Sequence, residues 1–171
     1  MPMRSPSKTV EELSARVETL TLEIKQLLAA EGIRTTIMNY TLAHDRGQSD
    51  MVADLFTEDA KLEISGYGER LDTTLQGRAS IREMYRALNS KHGGPPPFKH
   101  VVTNNRIDID GNEAIAITYL DWGGAPTDQG PGGGLYHERL KLCSDGRWRF
   151  SHKRIVCTSS QTVDAAIAAQ I

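Results

Sequence analysis

The chain has 171 residues, with 20 Lys and Arg against 22 Asp and Glu and a formal net charge of −2. That length fits one domain with a substantial core, and the near-neutral balance offers no basic field for nucleic acid or acidic lipid. No apolar run approaches the roughly 18 residues of a membrane span, and the polar N-terminus lacks the apolar core of a signal peptide. The two cysteines have no C-x-x-C spacing and fit reduced thiols. A cytoplasmic protein without a nucleic-acid or membrane partner is therefore expected.

Residues 1–8 read as a disordered leader. From Thr9 onward, Val10, Leu13, Val17, Leu20, Ile24 and Leu27 recur in alternating steps of three and four, which is the a/d seam of a heptad repeat. Thr9 followed by Glu12 forms a capping box. This amphipathic helix over residues 9–28 is too short for a stable free coiled coil. Its seam is expected either against its own domain or on the same helix of a second subunit, in a homodimer or homotrimer.

A second helical pattern runs from about Glu31 to Arg46, with Ile33, Ile37, Met38 and Leu42 apolar and Gly47 suited to the residue after the helix. Ser49 or Asp50 caps a short helix through Phe56, and Lys61 to Ile64 begins a strand. Gly77 and Arg78 precede a third helix carrying Ile81, Met84, Tyr85 and Leu88, which the run His92-Gly-Gly-Pro-Pro-Pro97 ends.

The remainder reads as β. Phe98 to Asp110 alternates, Asp110-Gly111-Asn112 is a hairpin turn, and Glu113 to Trp122 returns. Residues 123–134, six of twelve of them glycine, read as a loop. Leu135 to Cys143 and Arg147 to Val156 make a second hairpin around Ser144-Asp145-Gly146, and residues 158–171 form a small polar tail. Helices followed by a strand meander give an α+β domain with helices packed on one sheet face.

Chemistry is expected where the Glu31–Arg46 helix meets the sheet. Tyr40 and His44 share one helix face, and Asp45 lies about 140° round from Tyr40. Strict alternation puts His100 and Asn104 on one face of the first long strand, a mixed wall suited to a pocket. A neutral imidazole with a pKa near 6.5 can take and return a proton at cellular pH. On the return strand Asp121 ends the face of Ile115, Ile117 and Tyr119, where it either orients His100, as a carboxylate orients a catalytic imidazole, or caps the glycine loop; Asp45 is the other candidate to orient His100. Five histidines without H-x-H or H-x-x-x-H spacing give no metal site, and the glycine loop lacks a dinucleotide fingerprint, so no cofactor is expected.

The order of these elements, the segment Tyr40 to Leu62, the Gly77 helix, the strand bearing His100 and Asn104 and the two closing hairpins resemble the SnoaL-like group of the nuclear-transport-factor-two-like superfamily. The resemblance covers roughly residues 29–157. It implies a cone-shaped α+β fold in which a curved antiparallel or mixed sheet and packed N-terminal helices enclose a pocket. It also implies residue roles: Tyr40, Asp45, His100 and Asp121 as the catalytic set, with Arg154 also lining the cavity; Asn104, Tyr136, Trp122 and Phe56 are expected beside it against a small hydrophobic substrate. Lys153 and Arg149 compete with Arg154 for the inward position on the last strand. The implied activity is a cofactor-independent lyase or isomerase of dehydratase or cyclase type, acting on a hydrophobic oxygenated ring compound of the polyketide or steroid kind. An epoxide hydrolase and a non-catalytic binding or oligomerisation module are the alternatives.

Overall fold

A computed structural model describes residues 6–66, 72–96, 99–123 and 132–157. Three helices, α1 (Pro6–Asp45), α2 (Ser49–Asp54) and α3 (Arg78–His92), accompany six strands. The strands are β1 (Phe56–Ser65), β2 (Thr73–Gln76), β3 (Lys99–Asp110), β4 (Glu113–Gly123), β5 (Gly132–Leu142) and β6 (Trp148–Cys157). They form one open sheet of order β2-β1-β6-β5-β4-β3, in which β1 and β6 run parallel and every other pair antiparallel. The expected α+β class with a mixed sheet is what the chain adopts.

The two N-terminal helical patterns are one continuous helix of 40 residues. Gly32 does not interrupt it, and Thr9 lies inside it rather than at its cap. Gly32 instead lets β6 come close, since a Cβ there would meet the Trp148 ring at 2.9 Å. Thr36 Oγ1 donates to the Trp148 carbonyl one turn on, at 2.9 Å. The cone-facing stripe is Ile33, Ile37, Tyr40 and His44, all buried, whereas Met38 and Leu42 face outward. Of the expected leader, residues 1–5 lie outside the described residues, as do Phe98, the tail from residue 158 and loop residues 124–131.

β1 starts at Phe56, earlier than the expected Lys61, and β2 has no counterpart in the sequence reading. α3 ends as expected, at Gly93 in the left-handed conformation. The last three glycines of the expected loop are strand: Gly132, Gly133 and Gly134 pair with Trp122, Asp121 and Leu120. A Cβ on Gly132 would lie 2.1 Å from the Trp122 indole, so the bare backbone is the floor on which that ring rests.

Bulges interrupt three strand pairs, near Phe56–Lys61, Thr103–Arg106 and Arg139–Leu140. An extra residue in one strand bends the sheet and shifts the side-chain alternation beyond it by one. The core lies between the bent sheet and the helices, with Phe56, Leu62, Ile81, Leu120, Tyr136, Leu140, Phe150 and Ile155 buried.

Candidate active site

α1 ends in a tight cap. Gly47 has φ 69°, its N–H donates to the His44 carbonyl at 2.9 Å, and the Gln48 N–H reaches back to Ala43 at 2.9 Å. This Schellman closure fixes His44 and Asp45 in the last helical turn. Asn89 of α3 braces it by donating to Gly47 O at 2.9 Å and Ser49 Oγ at 2.7 Å.

The first residues of β3 dock on that helix end. The His100 N–H donates to Asp45 Oδ2 at 3.0 Å, and His100 Nδ1 lies 2.6 Å from Asp45 Oδ1. Both carboxylate oxygens therefore hold one residue, by its backbone and by its ring. The two side chains are only about a tenth exposed. A carboxylate at a helix C-terminus faces the negative end of the macrodipole, so an imidazole that can become positive is its natural partner. Burial pulls the His100 pKa below its ordinary value, while Asp45 opposes that shift.

His44 stands edge-on to His100, with ring centroids 4.6 Å apart, and edge-on to Tyr85 at 5.2 Å. Its Nδ1 is buried without a hydrogen bond, and burial, reinforced by His100, lowers its pKa to about 3. His44 is thus a neutral, apolar-like wall of the site. Tyr40 and Tyr85 join their hydroxyls at 2.5 Å, and the Tyr40 ring meets Phe56, Tyr136 and Phe150 edge-on.

His44, Asp45 and His100 also place three ligand-type atoms within 4.8 Å of one another. The 2.6 Å between His100 Nδ1 and Asp45 Oδ1 is a hydrogen-bond distance. Two donors bound to one transition-metal ion at about 2.0–2.1 Å each would sit further apart. The arrangement fits a shared proton better than an ion.

A second buried polar chain runs through the sheet. Lys153 Nζ is bonded to Glu138 Oε1, Glu138 Oε2 accepts from Thr118 Oγ1 at 3.1 Å, and Thr118 Oγ1 accepts from Asn105 at 2.8 Å. The ammonium sits 3.5 Å from the Tyr136 ring centre and 4.2 Å from that of Tyr40. Burial lowers the Lys153 pKa and Glu138 opposes it.

Of the residues singled out by sequence, the structure gathers Tyr40, Asp45, His100, Tyr136 and Phe56, with Trp122 as the register partner of His100. It turns three others away. Asp121 pairs with Val101 on the outer face and is exposed, because alternation gives the inner face to the neighbouring pair His100 and Trp122. Asn104 is exposed with φ 53° inside the β3 bulge, and Asn105, exposed as well, is the one whose amide reaches the buried Thr118. Arg154 is exposed because the bulge at β6 hands the inward position to Lys153. Tyr85 and Glu138 stand outside the site residues expected from the sequence, and Lys153 enters there only as a rival of Arg154. A parity break between Phe150 and Ile155 carries the signal for Lys153, and Tyr85 is hidden inside an ordinary helical apolar stripe.

A family model described as a SnoaL-like domain matches residues 25–154. The chain belongs to that family. Solved structures similar to this SnoaL-like protein include an NTF2-like protein with a cystatin-like fold from Novosphingobium aromaticivorans, 18% identical over 89% of this chain and 96% of that one, with TM-score 0.71. A scytalone-dehydratase-like protein from the same organism is 19% identical over 78% and 87%, with TM-score 0.62. A hexachlorocyclohexane dehydrochlorinase from Novosphingobium barchaimii is 17% identical over 80% and 91%, with TM-score 0.65. Identities this low establish the shared fold alone. No functionally curated sequence matches the chain. Among the described residues no helix is long and apolar enough to cross a membrane.

Proposed function

We propose that this protein is a cofactor-independent lyase that eliminates water or another small leaving group from a hydrophobic, oxygenated ring compound. The observation that carries this reading is the double grip of Asp45 on His100, at 3.0 Å to its backbone N–H and 2.6 Å to Nδ1. A carboxylate on Nδ1 fixes the tautomer and assigns the proton chemistry to Nε2. In the reaction Nε2 removes a proton from a ring carbon, the C–H electron pair becomes a C=C bond, and the group on the adjacent carbon departs with its bonding pair. Asp45 stabilises the imidazolium so formed, which can return its proton to a departing hydroxyl.

The fold relatives named for a dehydratase and a dehydrochlorinase support elimination as the reaction class. The Tyr40–Tyr85 hydroxyl pair is the donor for a substrate oxygen, because a hydroxyl that accepts one hydrogen bond donates the next more strongly. Burial around His44, Phe56 and Trp122 lowers the local dielectric and strengthens each of these interactions.

The test is a panel of cyclic β-hydroxy ketones and chlorinated cyclohexanes, followed by absorbance of the new double bond and by chloride release. The wild type is expected to turn over at least one class, and His100→Gln to lose about 10²–10⁴-fold. Product carrying oxygen-18 from labelled water, or turnover undiminished in His100→Gln, would overturn the proposal.

A further inference from the structure

The N-terminal half of α1 leaves the cone as an arm. Every residue from Thr9 to Leu28 is exposed, and the six seam residues Val10, Leu13, Val17, Leu20, Ile24 and Leu27 show between 39% and 70% of their surface. Twenty helical residues extend about 30 Å, and an isolated helix of that length is marginal in water without a packed face. The chain's own cone leaves the seam uncovered, bordering it at Leu27 beside Ile107 and Ile109. The stripe facing the cone, Ile33, Ile37, Tyr40 and His44, points on average about 160° round the helix from the seam.

We propose that the arm pairs with the same arm of a second copy, in an antiparallel two-stranded coil. The seam places Val, Val and Ile at a, and Leu at every d, so every layer of the seam is apolar. It is also self-complementary in reverse. Running one arm against the other pairs Val10 with the partner's Leu27, Val17 with the partner's Leu20 and Ile24 with the partner's Leu13. All six apolar positions are used, and each layer joins one β-branched side chain to one leucine.

Charge selects the direction. An antiparallel pair brings flanking g positions together, so Arg16 meets the partner's Glu23, and Glu23 meets the partner's Arg16. A parallel pair would set Arg16 beside Thr21 of the partner subunit and Glu23 beside Leu28 of the partner subunit, losing both ion pairs. Neither Arg16 nor Glu23 enters an ion pair among the described residues.

The cone adds a seat. Where the arm joins it, a cleft of about 520 Å³ is lined by Glu23, Gln26, Leu27, Ala30, Ile107 and Ile109. The antiparallel register carries the partner arm around its Val10 past Leu27, at the edge of this cleft. Ile107 and Ile109 then extend the apolar contact beyond what fewer than three heptads provide.

Light scattering on the eluting full chain, with sedimentation equilibrium for the dissociation constant, tests the pairing. Twice the chain mass of 18.9 kDa is expected for the wild type, and one chain mass for Leu20→Glu with unchanged helical content of the cone. Arg16→Glu turns two attractions into two repulsions and is expected to weaken the dimer roughly tenfold or more. Arg16→Glu combined with Glu23→Arg is expected to restore it. A monomeric wild type, or a dimer indifferent to Leu20→Glu, overturns the proposal. A seam-dependent dimer on which Arg16→Glu has no effect overturns the antiparallel register.

Discussion

At the scale of single residues, the site rests on how one carboxylate divides its two oxygens. Asp45 raises the affinity of His100 for a proton, against the burial that lowers it. Removing the negative charge in Asp45→Asn leaves burial unopposed, so the pKa of His100 falls further. The acid limb of kcat/KM, which reports the free base, is expected to move to lower pH in Asp45→Asn while the plateau drops on the order of 10²–10⁴-fold. An acid limb that rises or stays in place would separate Asp45 from the base. His44 supplies a stability counterpart. Its pKa is about 3 when folded and 6.5 ordinarily, so the unfolded chain binds the extra proton between those values. Stability therefore increases with pH across that window and is fully present above it. His44→Gln is expected to flatten the fall in melting temperature between pH 6.5 and 4.5, measured by calorimetry, relative to the wild type.

At the scale of elements, bulges choose which side chain of a strand enters the core. Apolar alternation in β3 passes from His100 and Val102 to Ile107 and Ile109, and in β6 from Trp148 and Phe150 to Lys153 and Ile155. Each change of parity marks one extra residue. The β6 bulge drives a lysine to zero exposure beside the nearly buried Glu138. Removing one partner strands the other charge in the core, whereas replacing both restores an apolar interior. Lys153→Met is expected to destabilise the protein by about 3–5 kcal/mol in urea unfolding. Lys153→Met with Glu138→Leu is expected to recover most of that. If the single and double variants unfold alike, the pair is not coupled.

At the scale of the whole molecule, α1 carries two distinct features in one element. Its C-terminal turn presents His44 and Asp45 to β3, and its N-terminal half carries the unpartnered seam. The two faces point in different directions, so the proposed pairing through the arm would leave the site of each cone intact. Pairing in reverse also places the two cones at opposite ends of the coil, where neither obstructs the other.

The sequence alone determined the helix periods, the hairpin turns at Gly111 and Gly146, and the stop after His92, while it left Asp45 and Asp121 as rivals to orient His100. These features depend on local spacing and backbone chemistry, which neighbouring residues carry in full. Only the tertiary structure decided that Gly32 sits within one helix, because packing against Trp148 turns a helix-weakening residue into a contact surface. It alone turned Asp121, Asn104 and Arg154 outward, brought Lys153 inward and joined the Asn105 amide to Thr118. Strict alternation holds only while every residue of a strand has one partner, and a bulge breaks that rule at a distance from the residues it redirects. The Tyr40–Tyr85 hydroxyl contact likewise joins two helices 45 residues apart in sequence, a proximity that no local pattern encodes.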